Sequence, residues 1–90
     1  MEGQKQFLIG ANRDSTSVSV DSSLGLILRR PEVRDIAAEY GSEVRGSSGF
    51  NYIDIVPPIP KKELGKLGQA LVDLAIRLDP SEPRSTYRIS

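Results

Sequence analysis

Carboxylates, lysines, tyrosines and serines are the side chains through which this sequence could do acid–base or nucleophilic chemistry, because it contains no cysteine and no histidine. Without cysteine there are no disulfides, thiolate metal sites or thiol nucleophiles. Without histidine the commonest general base and the commonest transition-metal ligand are gone as well. Asp14, Asp21 and Asp54 could be gathered by a sheet, as could Tyr52 and Lys61, but nothing in their spacing requires it. Asp54 is the oddest of them, lying mid-strand among apolar residues, and an outward position on an alternating strand accounts for it more simply than catalysis. A chain of 90 residues has little room for both a core and a water-excluded pocket of about 300 Å³. The expectation is a protein with no catalytic centre, cofactor or metal site. A hard-cation site of Asp and Glu stays open, although no loop follows EF-hand spacing.

Binding motifs are equally sparse. Pro57-Pro58-Ile59-Pro60-Lys61-Lys62 holds a P-x-x-P followed by a base, the pattern of a proline-rich ligand for an aromatic groove. A rigid connector whose last proline opens a helix explains the same residues. Arg29, Arg30 and Arg34 make a local basic cluster, but Glu32, Asp35 and Glu39 interleave with it and cancel most of its pull on phosphates. Phe50 and Tyr52 offer stackable rings without the flanking bases of an RNA-reading sheet. Gly46-Ser47-Ser48-Gly49 lacks a following Lys-Ser/Thr and precedes a strand, so it is read as a flexible loop, not a phosphate cradle. Gly10-Ala11-Asn12 has no further glycine at dinucleotide spacing. Twelve basic residues balance twelve acidic ones, which argues against nucleic-acid and anionic-lipid partners and leaves little self-repulsion to oppose association.

The elements that must position these residues follow from periodicity. Gln6-Phe7-Leu8-Ile9-Gly10-Ala11 is an apolar run suited to a buried strand, Asn12–Ser15 is turn chemistry, and Thr16–Val20 alternates with Val18 and Val20 on one face. Residues 6–20 are therefore expected to form a hairpin. Asp21-Ser22-Ser23 signals a helix start before Leu24, Ile27 and Leu28. Pro31 opens a second helix carrying Val33, Ile36, Ala37, Tyr40 and Val44 as a stripe, ended by Gly41 or else by Gly46. Phe50–Val56 reads as a central strand stopped by Pro57–Pro60. Pro60 then opens the longest helix, which runs to about Leu78, and Thr86–Ile89 is a candidate closing edge strand. The expected fold is a single small α+β domain over residues 1–90. Surface scaling for its mass lets about 64% of the unfolded chain's surface be buried. No apolar run is long enough to span a membrane, and Met1–Gln4 begins no signal peptide.

The long helix carries the most information. Leu64, Leu67, Leu71, Leu74, Ala75 and Leu78 form an ordinary core stripe. Gly65, Gly68, Val72 and Ile76 lie beside it and widen the non-polar arc to roughly 200°, about twice what a one-sided helix needs. Lys62, Lys66, Gln69, Asp73 and Arg77 fill the remaining face, with Asp73 and Arg77 spaced as an i, i+4 pair. Two interior glycines cost about 1 kcal/mol each relative to alanine, so another backbone is expected to come close there. Either the helix is clasped between the sheet and the Val33–Tyr40 helix, or Gly65, Gly68, Val72 and Ile76 face another subunit.

The stretch Val18-Ser19-Val20-Asp21 together with Leu26-Ile27-Leu28-Arg29-Arg30-Pro31-Glu32-Val33-Arg34-Asp35-Ile36-Ala37 resembles small head–tail connector and tail-completion proteins of tailed bacteriophages. The resemblance covers about a quarter of the chain. It implies a non-enzymatic subunit that packs against copies of itself and neighbouring virion proteins. The functional expectation is therefore a structural or interaction protein, an oligomer or part of an assembly. Its protein-binding candidates are Gly65, Gly68, Val72 and Ile76 with Pro57 and Pro60. The alternative is a monomeric binding or inhibitory module that engages its partner through the Val72/Ile76 face or the proline segment.

Overall fold

Two crossover connections organise the chain. The computed structural model describes residues 6–20, 27–46, 51–80 and 85–90. Within these, the elements are β1 (Gln6–Ala11), β2 (Thr16–Val20), α1 (Pro31–Ala38), β3 (Glu43–Gly46), β4 (Tyr52–Val56), α2 (Leu64–Leu78) and β5 (Thr86–Ile89). The strands form one five-stranded sheet in the order β3-β4-β2-β1-β5. β1–β2, β2–β4 and β4–β3 pair antiparallel, and β1–β5 pairs parallel. β2 and β3 consequently run the same way, as do β4 and β5, with α1 joining the first two and α2 the second. The two crossovers run in opposite directions and step toward opposite edges, so right-handed connections bring both helices to the same face.

Burial along the strands agrees with that arrangement. Phe7, Ile9, Thr16, Val18, Val20, Ile53 and Ile55 alternate onto the helix-covered side and are buried. Leu8, Ser17, Ser19, Tyr52 and Asp54 alternate onto the other side and are half-exposed. Val33 and Ala37 of α1 join Leu64, Leu67, Leu71 and Leu74 of α2 over the apolar face to form one core. The result is a single α+β domain whose helices lie on one face of the sheet, with no described element covering the other.

The hairpin over residues 6–20, the long C-terminal helix and the Thr86–Ile89 edge strand are all present. The helix is preceded by a 3-10 turn at Lys61–Glu63. Pro31 stands at the start of α1, behind an extended Arg30 that supplies no side-chain cap, and Glu32 lies in the first turn. α1 ends before Val44. Gly41 takes a positive φ of 75°, and the Ser42 amide returns to Ala37 O at 3.1 Å, closing the helix with a left-handed glycine. The longer of the two expected helices is thereby corrected: Val44 belongs to an edge strand opposite Ile55. Residues 27–29 form a 3-10 turn in which Ile27 and Leu28 are buried. The helix-start signal Asp21-Ser22-Ser23, Leu24, the body of the Gly46–Gly49 loop and Phe50 lie outside the described residues. β4 is an interior strand flanked by β3 and β2, and the geometric centre of the sheet is β2. Among the described residues no helix is long and apolar enough to cross a membrane.

Candidate functional site

The residues singled out on α2 share one side of the helix, and that side faces β5. Tyr87 lies on the helix side of β5, as its pairing with the buried Phe7 requires. Its ring packs onto the backbone of Gly68, where an added Cβ would stand 2.5 Å from the ring Cγ. Its hydroxyl reaches Gly65, where a Cβ would sit at an ordinary 3.8 Å. The neighbour expected to be another backbone is instead a side chain of this chain's own edge strand, the Tyr87 ring, and it comes close at Gly68 alone. One turn further on, Val72 is 6% exposed and Ile76 is 42% exposed.

Beyond Tyr87 the helix and strand diverge and leave an open groove of about 360 Å³, lined by Gln69, Val72, Ile76, Ser85, Thr86 and Tyr87. Among the described residues its walls carry no charged side chain. Gln69 Nε2 donates to Asp73 Oδ1 at 3.0 Å, and Gln69, Ser85 and Thr86 make the lining mixed, polar beside Val72, Ile76 and the Tyr87 ring. Outside the groove lining, Ile89 is 41% and Leu78 39% exposed. β5 is the outermost strand of the sheet on this side.

The main-chain groups along that edge can be assigned. Ser90 N–H donates to Ile9 O at 2.9 Å, so in this parallel ladder Ser90, Arg88 and Thr86 direct their peptide groups toward β1. The N–H and C=O groups of Tyr87 and Ile89 then point outward, away from the sheet. The site therefore combines a groove of mixed polar and apolar lining with outward main-chain groups at Tyr87 and Ile89.

Pro57 and Pro60 are not part of this groove. Both are exposed, but Ile59 between them is buried. The Ile59 amide donates to the buried Thr16 Oγ1 at 2.9 Å, and Ser42 Oγ donates to Pro57 O at 2.7 Å. These two bonds fasten the proline segment to the sheet as a connector, and the peptide bond entering it, Val56–Pro57, is cis.

The candidate acid–base groups are spread out. Tyr52 and Asp54 stand together on the open sheet face, where the Tyr52 hydroxyl donates to Asp54 Oδ1 at 2.8 Å. That bond to a carboxylate, assisted by partial burial, raises the phenol above its ordinary pKa. Asp14 lies in the exposed β1–β2 turn, Lys61 is exposed ahead of α2, and Asp21 is outside the described residues. In the basic cluster, Arg30 holds Glu32 at 3.2 Å and lowers that carboxyl's pKa, chiefly through the side-chain hydrogen bond. Arg29 and Arg34 line a smaller pocket of about 110 Å³ beside β3. Among the described residues there is no group of three or more Asp and Glu placed to hold a metal ion.

The sequence drew attention to the α2 side of the groove but not to Ser85, Thr86 and Tyr87. The only available signal was the pair of glycines, which announced a close neighbour without saying which. A scan against family models, a search of curated proteins and a search of solved structures each returned no match.

Proposed function

We propose that this chain is a non-catalytic interaction protein that acts by protein–protein packing, as an oligomer or a subunit of a larger assembly. Its docking surface is the α2–β5 side of the domain. One observation carries the reading: among the described residues, β5 is a sheet edge with no strand beyond it, and the groove that holds the exposed Ile76 lies beside it. Main-chain pairing along such an edge supplies affinity, and the adjoining groove supplies selectivity. Among the described residues no carboxylate, lysine or arginine lines the groove, which favours packing over catalysis. The phage connector resemblance of residues 18–37 suggests a virion as the setting.

The test is site-specific photo-crosslinking in the native source. A photoreactive residue at Ile76 should give discrete protein adducts, and the same residue at Ser19 on the open sheet face should give none. Self-adducts indicate assembly, and adducts with one foreign protein indicate the binding-module alternative. Adducts from Ser19 with none from Ile76 would overturn the reading.

A further inference from the structure

Edge strand β3 and the start of α1 enclose the smaller pocket, and we infer that it binds a small organic carboxylate. The acid group sits between Arg29 and Arg34, and a short aliphatic body covers Val44 and Ile53. This site is separate from the α2–β5 groove: their linings have no described residue in common.

The pocket is open because position 46 has no side chain. Gly46 pairs with Ile53, and residues directly opposite in an antiparallel pair point to the same face. Ile53 is buried on the helix-covered side, so a Cβ on Gly46 would enter the pocket, where it meets no described atom within 4 Å. Val44, two residues earlier on β3, shares that face. Leu28 and Ile53 are held in the core, so the apolar floor is formed before any ligand arrives.

Charge and size set the class of ligand. Two guanidiniums around one pocket of about 110 Å³ repel each other, and an anion between them replaces repulsion with attraction. Each offers a planar fork that matches the two oxygens of a carboxylate. The acids that interleave with these arginines in the sequence are placed elsewhere. Glu32 accepts from Arg30 Nε and Nη2, each at 3.2 Å, and among the described residues no carboxylate lines the pocket. The volume lies well below the roughly 300–1,000 Å³ of pockets for drug-sized ligands, so one acid group with a few carbons fills it. Inorganic phosphate would leave Leu28, Val44 and Ile53 facing a wholly polar ion, whereas a branched aliphatic acid covers them.

Amide chemical-shift titration of the purified full chain tests the site, with isovalerate as the probe. Isovalerate should bind with a Kd on the order of a few millimolar, shifting the amides of Leu28, Arg34, Val44 and Gly46. Its neutral isostere isovaleramide should bind about tenfold more weakly, and so should inorganic phosphate. R34Q should weaken isovalerate binding about tenfold. G46V, which keeps both arginines and fills the cavity, should weaken it as much. Arg34 and Gly46 are exposed, so circular dichroism of both variants should stay native. Binding lost in R34Q but kept in G46V would show attraction by surface charge alone and overturn the pocket. Phosphate binding as tightly as isovalerate overturns the aliphatic body, and no shifts at concentrations on the order of 100 mM overturn the site. Alanyl-leucine as a second probe separates two sources of the same carboxylate. Tighter binding than isovalerate assigns a polypeptide C-terminus, and weaker binding assigns a free acid.

Discussion

The same substitution three residues apart in α2 should have opposite effects on stability. Gly65→Ala places a methyl group 3.8 Å from the Tyr87 hydroxyl, an ordinary contact, so only the gain in helix propensity remains. That gain is about 0.5–1 kcal/mol, or roughly 2–8 °C in Tm for a domain of this size. Gly68→Ala gains about 1 kcal/mol of propensity too. Its methyl, however, meets the Tyr87 ring at Cγ, 2.5 Å away, near the root of the side chain where no small rotation relieves the overlap. Overpacking of this kind costs about 1–3 kcal/mol and occasionally more. Because the ring must shift together with edge strand β5, the net effect should be a loss of about 1–2 kcal/mol. Urea denaturation of both variants, repeated in a Tyr87→Ala background, isolates the cause. With the ring gone, Gly68→Ala should become stabilising by about 1 kcal/mol, giving a coupling of about 2–3 kcal/mol between positions 68 and 87. If Gly68→Ala stabilises the unaltered chain, or acts equally in both backgrounds, then Tyr87 is not the surface that closes on this helix.

Three further outcomes follow from individual contacts. Thr16→Val keeps the volume of a buried side chain but removes the acceptor of the Ile59 amide; it should cost about 1–3 kcal/mol by chemical denaturation, and an unchanged midpoint would contradict the anchoring of the proline connector. Tyr52 should titrate above the ordinary phenol value of 10.0 because it donates to Asp54. Since the raised value belongs to the folded state, its stabilising contribution is intact below pH 10 and is lost as pH rises through the folded pKa. Asp54→Asn should bring the Tyr52 absorbance midpoint down, with Tyr52→Phe identifying the step, and a midpoint that does not move would refute the assignment. Leu71→Ala, at the centre of the core, should cost about 2–5 kcal/mol by the same denaturation assay; a loss below this range would mean that α2 is not clamped between the sheet and α1.

Local pattern made much of this fold legible. Val18 and Val20 alternate as a half-buried strand must, Pro31 opens α1, and the leucines of α2 recur at helical spacing. β3 was harder to see because Val44 also continues the α1 stripe, and Glu43-Val44-Arg45-Gly46 has little strand character of its own. What decides the matter is Gly41, whose left-handed conformation ends the helix and turns the chain back alongside β4. The width of the apolar arc on α2 was legible, but its cover was not. Tyr87 lies nineteen positions from Gly68 in the sequence, and its return to the helix depends on the parallel pairing of β5 with β1. This long-range pairing fills the glycine notch and dries Val72, leaving a narrower surplus at Ile76 and Ile89. The groove could not be read from the sequence for the same reason, since half of its lining comes from residues 85–87.

Amide hydrogen exchange at Tyr87 and Ile89, followed over a range of protein concentrations, tests the central claim most directly. These two amides point away from β1, and docking between chains through β5 should protect them progressively as concentration rises, with no matching change along β3. Exchange at Tyr87 and Ile89 that stays fast at every concentration, or is already slow at the most dilute, would contradict assembly through the α2–β5 side.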